Sequence, residues 1–164
     1  RTLRRRVGLI GHGSGLFTDL TPRENAHFWA RAAGAGAADG DAALNRLGVE
    51  SRLLDVPIER LSAGQQRRVA IAAVAARRPE LWLLDEPHAG LDQLGRDIVD
   101  TLITDAAAAG ATVLVASHEL DRVRPLAPRV VTIAGGTVHH DSVDTNRADP
   151  AEAGFDPAEA GDAH

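Results

Sequence analysis

Leu81-Trp82-Leu83-Leu84 is an unbroken apolar run that begins just after Pro79 and stops on two acids and a proline, Asp85-Glu86-Pro87. A strand with one wet face would alternate apolar and polar residues; a short run with no alternation reads as a strand buried on both faces, the kind found in parallel sheets covered by helices. Thr112 to Ala116 repeats the pattern, Val7 to Ile10 is a shorter version closed by Gly11, and Val130 to Ile133 is expected to be a last core strand. Strand, helix, strand in succession gives the fold class α/β, a parallel sheet flanked by helices.

Helix signals fill the gaps. Thr21-Pro22-Arg23-Glu24 offers an N-cap, a proline at the first helical position and an acid at the third, opening a helix to about Ala33. A second helix is expected over Asp41 to Leu47, with Gly34 to Gly40 as a flexible link, and residues of about 20–58 read as a compact helical insertion. Ser62 opens a long helix to about Arg77, and Gln93 to Ala109 another, stopping at Gly110. A short helix is expected over Glu119 to Arg124, and a return strand after Gly135-Gly136. From Asp141 the chain turns acidic, alanine-rich and proline-broken, and 141–164 is expected to be disordered.

Only 3% of the residues are aromatic, so Ala, Val, Leu and Ile must build the core. Cysteine is absent, which excludes disulfides and thiolate metal sites. All 18 basic residues are arginine and the net charge is -5, a balance that argues against a nucleic-acid surface. Arg4-Arg5-Arg6 reads as a solvated strand edge. With no lysine anywhere, the phosphate-cradling loop G-x-x-x-x-G-K-[ST] cannot occur in these residues. Nor is there a methionine, and the expectation is a chain whose upstream part carries that loop.

Three groups of residues suggest chemistry. Asp85 and Glu86 follow a strand end, where ligands bind in open α/β sheets; the first suits Mg²⁺, the second a polarised water, and a capped turn is the plainer alternative. In Leu61-Ser62-Ala63-Gly64-Gln65, Ser62 and Gln65 have capping-box spacing. Capping leaves Gly64 unexplained, whereas a helix start bearing a hydroxyl and a bare glycine also suits a phosphate. His118 follows a strand and would project toward Asp85 and Glu86; a loop residue is the plainer reading. Gly13 and Gly15 read as a hinge, and the remaining histidines are given no role.

In this order the motifs resemble the nucleotide-binding domain of ABC transporters, over nearly all of Val7 to His140. The resemblance implies a P-loop NTPase-like fold, a partial domain over 1–140 with an ABC-type helical subdomain and its N-terminal part missing. It makes Leu61 to Gln65 the signature loop (Ser62, Ala63, Gly64 and Gln65 on nucleotide), Asp85 the magnesium ligand, Glu86 the catalytic glutamate, Ala89 to Asp92 the D-loop, and His118 the switch histidine. His12 stands where the family has its Q-loop glutamine. That substitution, with Ala63 and Gln66-Arg67-Arg68, is similar to the haem exporter ATPases of cytochrome c maturation; drug, lipid and antibiotic exporter ATPases share much of it.

What the resemblance implies is hydrolysis of ATP with Mg²⁺, a second and identical nucleotide-binding domain, a transmembrane permease docked on the helical insertion, and a place at the cytoplasmic face of the membrane. These residues alone are expected to be inactive. The competing reading is a partner-binding module that does not hydrolyse ATP. A chromosome or repair ATPase is disfavoured by the absence of flanking coiled-coil heptads.

Overall fold

The computed structural model describes residues 6–142. The chain divides into two compact units, one ending at Glu119 and one beginning at Leu120. In the first, β1 (Val7–Ile10), β2 (Leu81–Asp85) and β3 (Thr112–Ala116) form a parallel sheet in the order β1-β2-β3. Among the described residues these helices accompany it: α1 (Pro22–Ala33), α2 (Ala37–Arg46), α3 (Ala63–Ala75) and α4 (Gln93–Ala108). Ile10 pairs with Leu84, and Leu84 with Val115, so the three strands end together and Gly11, Glu86 and Ser117 leave from one edge.

Burial alternates along the strands. Ile10, Trp82 and Leu84 are buried, with α3 packed near β1 and α4 near β3. Helix α3 can approach because residue 8 is glycine: a Cβ there would stand 2.6 Å from Val74 Cγ1 and 2.7 Å from Pro79 Cγ. Leu9 and Leu114, in register through Leu83, are each 63% exposed on the opposite face. The expectation of strands buried on both faces is therefore corrected for all three strands, because among the described residues the helices cover one face only.

Helices α1 and α2 form a layer with α3, meeting through small residues. Ala26 and Ala30 of α1 are fully buried, as are Leu44 of α2 and Leu47 just after it. Thr21 and Glu24 make the reciprocal cap: the Thr21 amide donates to Glu24 Oε2 at 2.9 Å and the Glu24 amide to Thr21 Oγ1 at 3.2 Å. Helix α2 starts at Ala37, not at Asp41, because Asp39 accepts the Gly36 amide at 2.8 Å and so caps residues that had read as a flexible link. The insertion closes at its base, where the Ile58 and Glu59 amides donate to Leu20 and Thr18 carbonyls, both at 3.0 Å.

Helix α3 stops at Ala75, two residues before its expected end, and Arg78 then takes φ 49° to turn the chain toward β2. The second unit holds α5 (Leu120–Val123), a 3-10 turn over Arg124–Leu126, and an antiparallel hairpin of β4 (Val131–Ala134) and β5 (Thr137–Asp141). Strand β4 is not the expected core strand: Ile133 is 67% exposed and all four residues are exposed. Its partner is a single hairpin strand, closed by an Arg129 to Asp141 ion pair. Most of the expected disordered tail, residues 143–164, lies outside the described residues.

Candidate functional site

At the carboxyl edge of the sheet β2 ends on exposed Asp85, and the chain turns at Glu86 with φ 45°. A non-glycine residue in this left-handed region carries about 1–3 kcal/mol of strain and persists only where its surroundings over-determine it. Those surroundings are visible. The Glu86 amide donates to the Ala116 carbonyl at 2.9 Å, and the Glu86 carbonyl accepts from the Ala89 amide at 3.1 Å and from Arg67 Nη2 at 2.7 Å.

The turn aims the carboxylate at the end of β3. Glu86 Oε1 accepts from the His118 amide at 2.9 Å and lies 2.7 Å from His118 Nδ1, while Oε2 accepts from Ser117 Oγ at 3.1 Å. Partial burial pushes the Glu86 carboxyl upward, but the donors from His118 and Ser117 outweigh it and hold the group below its ordinary value. An ionised carboxylate only accepts, so the proton of this pair sits on Nδ1. The ring itself is 82% exposed, leaving Nε2 turned toward solvent. Glu86 and His118 thus meet at this edge, with Asp85 preceding Glu86 at the end of β2. Exposed His12 follows Gly11 at the same edge.

The pentapeptide starts α3. Ser62 Oγ accepts from the Gln65 amide at 3.3 Å and Gln65 Oε1 from the Ser62 amide at 2.9 Å, so the capping box is formed. Ser62 still has its own hydroxyl proton to donate. Gly64 has a second reason to be glycine, since a Cβ there would stand 2.8 Å from the Gly90 carbonyl oxygen. Asp92 caps α4 through the Gly95 amide at 2.9 Å and pairs with Arg68 Nη2 at 2.5 Å; these two contacts, the amide first, lower its carboxyl. A cleft of about 510 Å³ runs between Ser62, Gly64, Gln65, Gly90 and Asp92.

Three contributors escaped the sequence reading. Half-buried Arg67 reaches the carbonyls of Gly11, Asp85 and Glu86; Arg96 bridges the Leu91 carbonyl at 3.2 Å and Glu119 Oε2 at 2.7 Å. His88, given no role in the sequence, is 1% exposed and sits 2.7 Å from Asp100 Oδ1, tying the Glu86 turn to α4. The run Gln66-Arg67-Arg68 beside so many small residues was the one available signal for the first.

Together these features define an α/β protein whose chemistry gathers at the carboxyl edge of a parallel sheet, next to a capped helix start. The family model described as ABC transporter matches residues 1–89, and the chain belongs to that family. It is 41% identical over 116 residues to a cytochrome c biogenesis ATP-binding export protein of Cupriavidus metallidurans, covering 69% of this chain and 54% of that protein. A cobalt import ATP-binding protein of Rhodobacter capsulatus is 39% identical over 94% of this chain and 58% of its own length. The fold matches a dimeric, post-hydrolysis ATP-binding cassette bound to ADP and Pi, at 26% identity and a TM-score of 0.78, over 85% of this chain and 64% of that one. The chain thus spans a little over half the length of the curated relatives it matches.

Proposed function

We propose that this chain is the catalytic-edge portion of the ATP-hydrolysing subunit of an ABC transporter. The observation that carries the reading is the Glu86 carboxylate, held at a strand end in a left-handed turn against His118 and Ser117. Asp85 stands exposed beside it, and among the described residues no cluster of three or more His, Asp and Glu could cage a metal. A lone carboxylate of this kind fits Mg²⁺, which takes one or two carboxylates and completes its shell with waters and substrate phosphates. Bound there, Mg²⁺ would neutralise charge developing on the transferred phosphoryl group.

Both Glu86 oxygens are engaged. A γ-phosphate accepting from His118 would draw the imidazole away and free one acceptor site of Oε1, which keeps the His118 amide, to orient the attacking water. Ser62, with the capped helix start of Ala63, Gly64 and Gln65, would meet the nucleotide held by a second cassette, and Asp92 would fix the neighbouring turn; His12 would face the same edge. A lysine-bearing phosphate loop is needed besides these residues, so hydrolysis belongs to a protein that includes one, and these residues alone should not turn over ATP. The test is Glu86→Gln in such a protein: ATP binding persists and turnover falls at least a hundredfold. Undiminished turnover would sink the assignment.

The expected partners are an identical cassette and a transmembrane permease at the cytoplasmic face of the membrane. Phe17 and Phe28, 41% and 45% exposed and packed edge to face at 4.9 Å, offer an apolar docking patch where the chain enters the insertion. For cargo, the reading favoured by the export relatives and by His12 is haem. Relatives named for import are nearly as similar, so vesicles reconstituted with the permease should decide direction: outward, ATP-dependent haem movement supports export, and cobalt uptake refutes it.

A further inference from the structure

Arg67 sits in the second turn of α3, yet its guanidinium makes no ion pair among those the structure shows; it spends its donors on backbone. Nη1 donates to the Gly11 carbonyl at 2.8 Å, and Nη2 to the Asp85 carbonyl at 3.0 Å and the Glu86 carbonyl at 2.7 Å. The three acceptors belong to the ends of two neighbouring strands, β1 and β2, at the edge where Asp85 and Glu86 are presented. Carbonyls that leave a parallel sheet have lost their ladder partners, and a planar fork of fixed geometry satisfies several at once where a single ammonium cannot. Burial lowers the Arg67 pKa, opposed only in part by the nearby Asp85 and Glu86 charges.

The geometry points to Arg67 as a positioning residue: from the signature helix it locks the left-handed turn at Glu86 and thereby sets the carboxylate against His118 and Ser117. Of the contacts on the Glu86 backbone, it is the one supplied by a side chain of another element. Movement of α3 would therefore be felt at Glu86 directly. Asp92 and Arg68 make the companion link one residue along the same helix, from α3 to the cap of α4.

The inference rests on the proposed function for its catalytic meaning, and the test separates the two. In this chain, amide hydrogen exchange is measured at His118, whose N–H donates to Glu86 Oε1, with Ile71 and Val99 as core controls. Arg67→Met should speed His118 exchange at least fivefold with the controls within twofold. Arg67→Lys, which keeps the charge and stem should the first variant fail to fold, should also speed His118 exchange, since one ammonium cannot span three carbonyls. In the protein completed with a phosphate loop, both should lower kcat about tenfold or more with KM for ATP little changed. His118 exchange at the parental rate in either folded variant, or full recovery of kcat by Arg67→Lys, would overturn the positioning role. Absence of ATP turnover in the parent would count against the proposed function while leaving the exchange result to decide on Arg67.

Discussion

Asn25 is the polar side chain on which the entry to the helical insertion depends. It is fully buried; Oδ1 accepts the Phe17 amide at 2.8 Å, and Nδ2 donates to the Phe17 and Thr21 carbonyls, both at 3.0 Å. In Asn25→Ala the two carbonyls keep other donors, from Leu20 at 3.2 Å and from the Asn25 amide at 3.0 Å, so only the Phe17 N–H is orphaned. Two bonds whose acceptors stay satisfied, at about 0.5–1 kcal/mol net each, and about 1–3 kcal/mol for the orphaned amide put the loss at about 2–5 kcal/mol. For a chain of this size that is a fall of roughly 5–15 °C in melting temperature. Urea and thermal unfolding followed by far-UV circular dichroism measure it. Asn25→Asp is the sharper probe, because it keeps the acceptor for Phe17 but sets a carboxylate oxygen against two carbonyl oxygens. It should be less stable than Asn25→Ala at neutral pH and recover in acid as the carboxyl protonates. A loss below about 0.5 kcal/mol in Asn25→Ala, or an aspartate variant as stable as the parent at neutral pH, would refute the reasoning.

Other consequences can be checked alongside. Gly64→Ala must displace the Gly90 carbonyl, 2.8 Å from the new methyl, and is expected to destabilise by about 1–3 kcal/mol in urea unfolding, against the gain of up to about 1 kcal/mol usual for alanine over glycine in a helix. Ser62→Ala should cost about 1 kcal/mol through loss of the cap, while Ser62→Asp, which caps equally well, should keep stability yet weaken ATP-dependent pairing of cassettes by repelling phosphate. Because the folded Glu86 pKa is depressed below 4.5, its stabilising share is full above that value and is lost as pH falls through the folded pKa. Acid titration of stability should therefore show the difference between the parent and Glu86→Gln shrinking in that window. Leu44→Ala, at a site 1% exposed between α1 and α3, should cost about 2–5 kcal/mol, read as a fall in the urea midpoint.

Residues close together in the chain made the elements legible. The uninterrupted Leu81 to Leu84 fixes a parallel strand, Thr21 to Glu24 caps a helix with atoms three residues apart, and Ser62 with Gln65 does the same for α3. Asp85, Glu86 and His118 could be nominated because each lies within two residues of the end of an apolar run, and parallel strands bring such ends to one edge. Local rules misjudged α2, whose first turn contains Gly40 and is rescued by Asp39, and they overstated the burial of β3 and β4. Burial is a property of what packs against a strand, and no apolar pattern contains its own cover. For the same reason only the folded structure could show that Arg67 holds Glu86, that His88 is buried against Asp100, and that Asn25 ties down Phe17. Arg67 and Glu86 are 19 positions apart, and the one bond between them exists because helix α3 packs against β1 and carries Arg67 to the strand ends. Sequence by itself determined which elements form and which side chains leave at the carboxyl edge of the sheet; tertiary structure decided which backbone groups lost their partners there and which distant side chains replaced them, since hydrogen-bond satisfaction is settled by proximity in space.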